Sequence, residues 1–247
     1  MSTYVMSDIH GSYDKFIRML EKIDFKDEDT LYIIGDVLDR GPNPIKTLLK
    51  IMEMPNIIPI IGNHELMALE CLEFLCKEIT EESIKNVDRN IINNISNWEY
   101  NGSETTLKEF YTLDDDTKKE VVEFIKDFSI YEDITVKCND GVSRRFLLVH
   151  AGLGNYNPDK DIYDYSLYEL TWMRGDYFIH YYPKRKNFFV ISGHTPTQLI
   201  NTNPNPGFIY REANQISIDC GACFENGRLA AIRLETDEEF YVDDSDI

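Results

Sequence analysis

Asp, His and Asn side chains suit hard or borderline divalent cations, and in this chain they recur at one kind of position. Asp8-Ile9-His10-Gly11 follows Tyr4-Val5-Met6, and Gly35-Asp36-Val37-Leu38-Asp39-Arg40-Gly41 follows Leu31-Tyr32-Ile33-Ile34. Gly62-Asn63-His64-Glu65 closes the run Ile57-Ile58-Pro59-Ile60-Ile61, His150-Ala151-Gly152 closes Phe146-Leu147-Leu148-Val149, and Gly193-His194 closes Phe189-Val190-Ile191-Ser192. Asp8, His10 and Asp36 could share one ion. Asp36, as a bridging carboxylate, could hold a second with Asn63, His150 and His194. Two ions roughly 3.5–4 Å apart clamp both sides of an in-line phosphoryl displacement and activate water at neutral pH, so no Ser or Cys nucleophile is required. His64, directly after Asn63, is placed to face a leaving group as general acid, Asp39 to orient it and favour its charged form, and Arg40 to offer a bidentate fork to phosphate.

Taken singly, each motif has an ordinary structural explanation. Asp-x-His-Gly can be a strand-to-turn boundary, Gly-Asp a turn, Asn63 a helix cap, and His150 or His194 a satisfied core histidine. Together they commit four of the five histidines to strand ends in one order. The fifth, His180, beside Tyr181 and Tyr182, reads as a surface or packing residue.

The elements that must carry these residues are legible as alternating patterns. After the first strand, Phe16, Ile17, Leu20 and Ile23 recur at helical spacing. Pro42 and Pro44 open a second helix with Ile45, Leu48, Leu49 and Met52 as its buried stripe. The order β-α-β-α-β, with chemistry after each strand, is the open α/β arrangement in which ligands gather at strand carboxyl ends. Pro59 is awkward for a central strand. Residues 66–127 read as a helical insertion over one edge of the site, too poor in apolar residues to be an independent domain, so that 1–247 is one domain. Strands then return: a hairpin about Asn139-Asp140-Gly141, a helix around Leu167 to Trp172, and a closing hairpin of Ile216–Asp219 with Leu229–Leu234 through Asn226-Gly227. The acidic stretch 237–247 reads as a solvated tail.

Lys+Arg of 25 against Asp+Glu of 44 leaves a net charge of -19. Nucleic acid and anionic membrane both want a cationic face and are disfavoured as partners; an anionic substrate is not, because bound metal reverses the sign locally. The five cysteines are an odd, scattered set, expected as reduced thiols of a cytoplasmic protein, with Cys220 and Cys223 packed or in a loop rather than half of a zinc site. No opening apolar segment and no membrane-length apolar run is present, so neither export nor insertion is expected.

In combination, Asp8-Ile9-His10-Gly11, Gly35-Asp36-Val37-Leu38-Asp39-Arg40-Gly41, Gly62-Asn63-His64-Glu65, His150-Ala151-Gly152 and Ser192-Gly193-His194 closely resemble the calcineurin-like metallophosphoesterases, specifically the compact bacterial and phage PPP-type serine/threonine protein phosphatases. The resemblance spans residues 5 to about 235. It implies an α/β (α+β) fold in which two central mixed β-sheets form a sandwich flanked by helices. It further implies two divalent metal ions (commonly Mn, with Fe or Zn compatible) and hydrolysis of phosphate monoesters on a phosphoprotein or small phosphoester. It supports the ligand roles above, places Arg174 of Trp172-Met173-Arg174 as a second phosphate contact, and likens Cys220-Gly221 with Asn226-Gly227 to a loop beside the active site. Larger relatives have arginine where this chain has Ile61, and a different sequence from Ser217-Ile218-Asp219. A symmetrical dinucleoside tetraphosphate hydrolase of the same fold is the alternative, because Asn101-Gly102-Ser103 with Thr106-Leu107 faintly resembles that group. A nuclease is disfavoured by the charge, and a ligand-depleted binding module by the presence of all six ligands.

Overall fold

The computed structural model describes residues 1–77, 89–175, 181–182 and 184–247; His180 lies outside the described residues. Among these, strands β1 (Thr3–Met6), β2 (Thr30–Ile34) and β3 (Ile57–Ile60) run parallel, as the β-α-β-α-β pattern requires. They continue antiparallel into β9 (Leu229–Arg233) and β10 (Glu238–Val242), giving the order β10-β9-β1-β2-β3. A second mixed sheet has the order β4-β5-β6-β8-β7, built from β4 (Tyr131–Lys137), β5 (Ser143–Val149), β6 (Phe188–Ser192), β7 (Tyr210–Glu212) and β8 (Gln215–Ser217).

The period of two along each strand sorts its side chains between layers. Val5 and Ile34 from one sheet meet Phe146, Leu148, Ile191 and Ile216 from the other in an apolar middle layer. Tyr4, Met6, Leu31 and Ile33 face the opposite way, onto α1 (Tyr13–Lys22) and α2 (Pro44–Met52). Leu147 and Val149 turn outward from the second sheet to Tyr165, Leu170 and Tyr181, the layer that includes α7 (Leu167–Thr171). The result is two central mixed sheets with helices on both outer faces. Pro59 is accommodated because β3 is the edge of its sheet, where a missing N–H breaks no ladder.

Between β3 and β4 lie α3 (Asn63–Leu75), α4 (Arg89–Tyr100), α5 (Glu104–Phe110) and α6 (Asp115–Lys126). Although polar overall, this segment sends Trp98, Phe110, Val121 and Ile125, all fully buried, into the same core cluster as α1 and α2.

Two expectations are corrected. Ile216–Asp219 and Leu229–Leu234 do not pair: β8 lies between β6 and β7, while β9 lies between β1 and β10. Residues 218–228 therefore cross from one sheet to the other. The stretch 237–247 is not simply a solvated tail. Phe240 packs against the core and Val242 is buried in it, an alternation masked by the surrounding acids, and Arg233 pairs with Glu238 across the ladder at 3.1 Å. All five cysteines are free thiols, and no helix among the described residues is long and apolar enough to cross a membrane.

Candidate metal centre

The loops after β1, β2, β3, β5 and β6 converge at one edge of the two sheets, and backbone hydrogen bonds tie them together. Asp8 N donates to Gly35 O (3.1 Å), His10 N to Asp36 O (2.9 Å), Gly11 N to Val37 O (2.8 Å) and Gly193 N to His150 O (2.8 Å). The buried Glu65 carboxylate clamps two of these loops. It accepts from Asp36 N (2.8 Å), Val37 N (2.8 Å), Leu38 N (3.1 Å) and Gly62 N (3.0 Å). Burial, then the Asp36 charge, pushes Glu65 upward, and the N–H donors oppose that rise. Position 62 must be glycine, since a Cβ there would collide with the Asp36 and Glu65 carboxylates.

Backbone strain is concentrated here. Asp8 (φ 50), His10 (φ 44), Asp36 (φ 55), Asp39 (φ 68), Arg40 (φ 65) and His194 (φ 64) all adopt the left-handed region. Each costs on the order of 1–2 kcal/mol for a non-glycine residue. Such a cluster persists only where surrounding contacts over-determine it.

The imidazoles are oriented by carbonyls that can only accept. His10 Nδ1 donates to Leu38 O (2.8 Å), His150 Nδ1 to Ile34 O (2.9 Å) and His194 Nε2 to Trp172 O (2.9 Å). In His10 and His194 the other ring nitrogen is left as a lone pair, the form that binds a cation, whereas His150 Nε2 faces the acceptors Asn63 Oδ1 and Asp36 Oδ1 and must lose a proton before it can ligate. Among the described residues, two groups have ligand atoms within 4.8 Å of one another: His10, Asp36 and His64, and Asp36, His150 and His194. Asp36 belongs to both, with Oδ2 3.6 Å from His10 Nε2 and Oδ1 3.3 Å from His150 Nε2. Asn63 Oδ1 lies 3.0 Å from His150 Nε2. A set of imidazole nitrogens and oxygens around one shared carboxylate fits a pair of divalent ions.

Asp8 is placed differently from the expected set. It is buried at the same edge, but its carboxylate accepts from His194 N (3.0 and 3.1 Å) and from the Ser7 hydroxyl, and His64 rather than Asp8 stands with His10 and Asp36. Gly193 permits this approach, because a Cβ at that position would strike Ser7 and Asp8. Burial, then neighbouring Asp219, raises the Asp8 carboxyl. Asp219 itself is pushed by burial to about 6.

The field is otherwise organised by the shared carboxylate. Burial would raise Asp36, yet His150, His64 and His10 together hold it well below the usual carboxylate range. Burial works against the charged form of His150, but Asp36 prevails and lifts it to about 10. Burial and then His150 lower His194 to about 3; the charge of Arg174, an exposed side chain just beyond α7, acts in the same direction. Burial and then His64 depress His10.

His64 is fully buried, and its Nδ1 lies 2.7 Å from Asp39 Oδ2. Arg40 Nη2 donates to His64 Nε2 and Nη1 to His10 Nε2, both at 2.8 Å. A guanidinium only donates, so the His64 proton resides on Nδ1, facing Asp39. Asp39 has further partners that the motif did not reveal: Trp98 Nε1 and the Thr106 hydroxyl. Trp98 carried one usable sign, since an indole buried in a polar segment needs an acceptor for its N–H.

The profile of the family described as calcineurin-like phosphoesterase matches residues 1–216. The symmetrical bis(5'-nucleosyl)-tetraphosphatase of Salmonella paratyphi B is 38% identical over 71 residues, 28% of this chain. The chain spans 25% of that relative's length. Among solved structures, one described as a putative diadenosine tetraphosphatase superposes with a TM-score of 0.64 at 16% identity, covering 97% of this chain and 92% of the other. A Saccharomyces cerevisiae serine/threonine phosphatase with similarity to human phosphatase PP5 gives 0.52 at 14% identity, covering 98% and 79%. At these identities the two structures share a fold with this chain.

Proposed function

The chain belongs to the calcineurin-like phosphoesterase family, and we propose that it is a metal-dependent phosphomonoester hydrolase acting on phosphoserine and phosphothreonine, with two divalent ions, Mn foremost. Asp36, His10 and Asp8 would serve one ion, and Asp36, Asn63, His150 and His194 the other. When bound, the pair supplies an activated water and neutralises charge on the phosphoryl group. Arg40, released from the two imidazoles, and Arg174 would bind phosphate oxygens, and His64, protonated on Nε2 as well as Nδ1, would deliver the Nε2 proton to the leaving oxygen while Asp39 stabilises its charged form.

The observation that carries this reading is the buried His64–Asp39 pair at 2.7 Å beside Asp36. A serine or threonine alkoxide is a poor leaving group and needs a proton in the transition state. The leaving phosphate of an anhydride needs it far less. A second reading, symmetrical cleavage of a dinucleoside tetraphosphate, is favoured by the 71-residue match to an enzyme of that description. Metal-free protein, with and without added Mn, separates them when assayed in parallel on a phosphoserine peptide and diadenosine tetraphosphate. Peptide turnover that appears only with metal is expected; a strong preference for the dinucleotide would replace the first reading with the second.

Metal loading should also release protons. His150, raised to about 10 by Asp36, carries a proton at pH 7 that a ligating imidazole must lose, whereas His10 and His194 are depressed and already neutral. The apparent affinity for Mn therefore rises with pH below about 10, by roughly tenfold per unit for each proton displaced. Calorimetric titration at pH 7 in buffers of different ionisation enthalpy should give heats that differ by the release of at least one proton. Identical heats in all buffers would refute this charge assignment.

A further inference from the structure

We propose that Trp98 and Thr106, from the helical segment 66–127, are positioning residues for the Asp39–His64 pair. The Asp39 carboxylate is fully buried and both its oxygens are engaged. Oδ2 accepts from His64 Nδ1 (2.7 Å) and from Trp98 Nε1 (2.7 Å), and Oδ1 accepts from the Thr106 hydroxyl (2.6 Å). Thr106 Oγ1 in turn accepts from Asp39 N (3.0 Å), so carboxylate and backbone of the same residue are gripped by one hydroxyl. Between the two helices, Gly102 O accepts from Arg40 N at 2.9 Å. The α4–α5 corner thus seats directly on the two residues that follow the candidate ligand loop.

The chemistry of the donors gives the arrangement its consequence. An indole N–H can only donate, so it fixes the carboxylate oxygen that His64 must find. The threonine hydroxyl prevents rotation about the Asp39 Cβ–Cγ bond. His64 is then held with Nδ1–H toward Asp39 and its Nε2, the nitrogen that must carry the transferred proton, toward the site. Without these two donors, Asp39 loses its fixed direction, and the imidazole can rotate away from a leaving oxygen. Groups that orient a reacting or ligating side chain typically contribute roughly 10–100-fold. The helical segment is accordingly part of the proton-delivery apparatus as well as a cover for one edge of the sheet.

The inference rests on the reading that His64 protonates the leaving group, and the test separates the two. Thr106→Val, Thr106→Ser, Trp98→Phe and His64→Asn variants of the full chain, loaded with Mn, are compared with the parent on phenyl phosphate and 2,4-dinitrophenyl phosphate. Metal content and thermal unfolding are recorded for each. Loss of the hydroxyl in Thr106→Val, or of the N–H in Trp98→Phe, should lower kcat on phenyl phosphate by roughly 10–100-fold, with a much smaller loss on the dinitrophenyl ester and little change in KM. Thr106→Ser should regain most of the lost rate.

Equal losses on the two esters, losses that track metal content or unfolding temperature, or no loss in Thr106→Val would overturn the positioning role. If Trp98→Phe does not fold, the Thr106 pair decides alone. If His64→Asn itself shows no dependence on the leaving group, the functional reading of His64 fails. If His64→Asn shows that dependence and the other variants do not, only the positioning inference fails.

Discussion

Replacing Asp36 with Asn is expected to abolish binding of at least one of the two Mn ions and to lower turnover by on the order of 10³-fold or more, the several kcal/mol that a bound metal contributes to stabilising a transferring phosphoryl group. The carboxylate is the one group common to both candidate ligand sets. It also offsets three imidazoles, standing 3.3 Å from His150, 3.6 Å from His10 and 3.9 Å from His64. An amide is nearly isosteric and can still accept from His64 N, the bond now made by Asp36 Oδ1 at 3.1 Å, so the start of α3 should survive. What disappears is the negative charge. His150 then loses the partner that lifts it to about 10, and burial, which already disfavours its charged form, should carry it well below that value. Metal analysis after dialysis, together with an imidazole titration followed by NMR, measures both effects. Two tightly held ions and an unchanged His150 would show that Asp36 neither bridges nor governs the field.

Much of this site can be read from the chain because each ligand type sits at the end of a short apolar run. A strand ending in Gly-Asp or Asn-His announces both the element and the edge at which its chemistry collects. The β-α-β-α-β order followed from two helical periodicities between three such runs, and β1, β2 and β3 are parallel as that order demands. Pairing partners were less legible. Gln215–Ser217 is buried at every position and Leu229–Arg233 at all but the last, and such runs look alike whether their partners are near or far in sequence. The sequence pattern alone pairs them with each other, although each belongs to a different sheet. Charge concealed β10, where only Phe240 and Val242 mark the inward face. The partners of Asp39 lay furthest from view, because Trp98 and Thr106 are 59 and 67 residues away and only the α4–α5 corner brings them in. The contacts of Asp8 are hidden in the same way, since His194 N, 186 residues away and brought close by Gly193, donates to its carboxylate.

His64→Asn should retain both ions and lose turnover by roughly 10²–10⁴-fold, the usual contribution of a positioned acid. Retention is expected because the backbone at 64, not the imidazole, supplies the bond to Asp36 Oδ1, and because the imidazoles at 10, 150 and 194 keep their own carbonyl anchors. Loss is expected because the amide of Asn cannot carry the proton that His64, paired with Asp39 at 2.7 Å, would deliver under the proposed function. The imidazole is also one of the groups near Asp36 and His10, so an alternative role as a metal ligand predicts a different result: an ion lost together with the activity. Steady-state kinetics on a phosphoserine peptide, with metal content measured on the same sample, distinguishes these outcomes. A large fall in kcat at unchanged KM and two ions per chain assigns His64 to proton transfer, since the interaction removed is one made in the transition state. A fall that added Mn restores would assign it to the metal instead. Near-parental turnover in the metal-replete variant would remove His64 from the chemistry altogether, leaving Asp39, Trp98 and Thr106 as a buried polar network that stabilises the loop after β2.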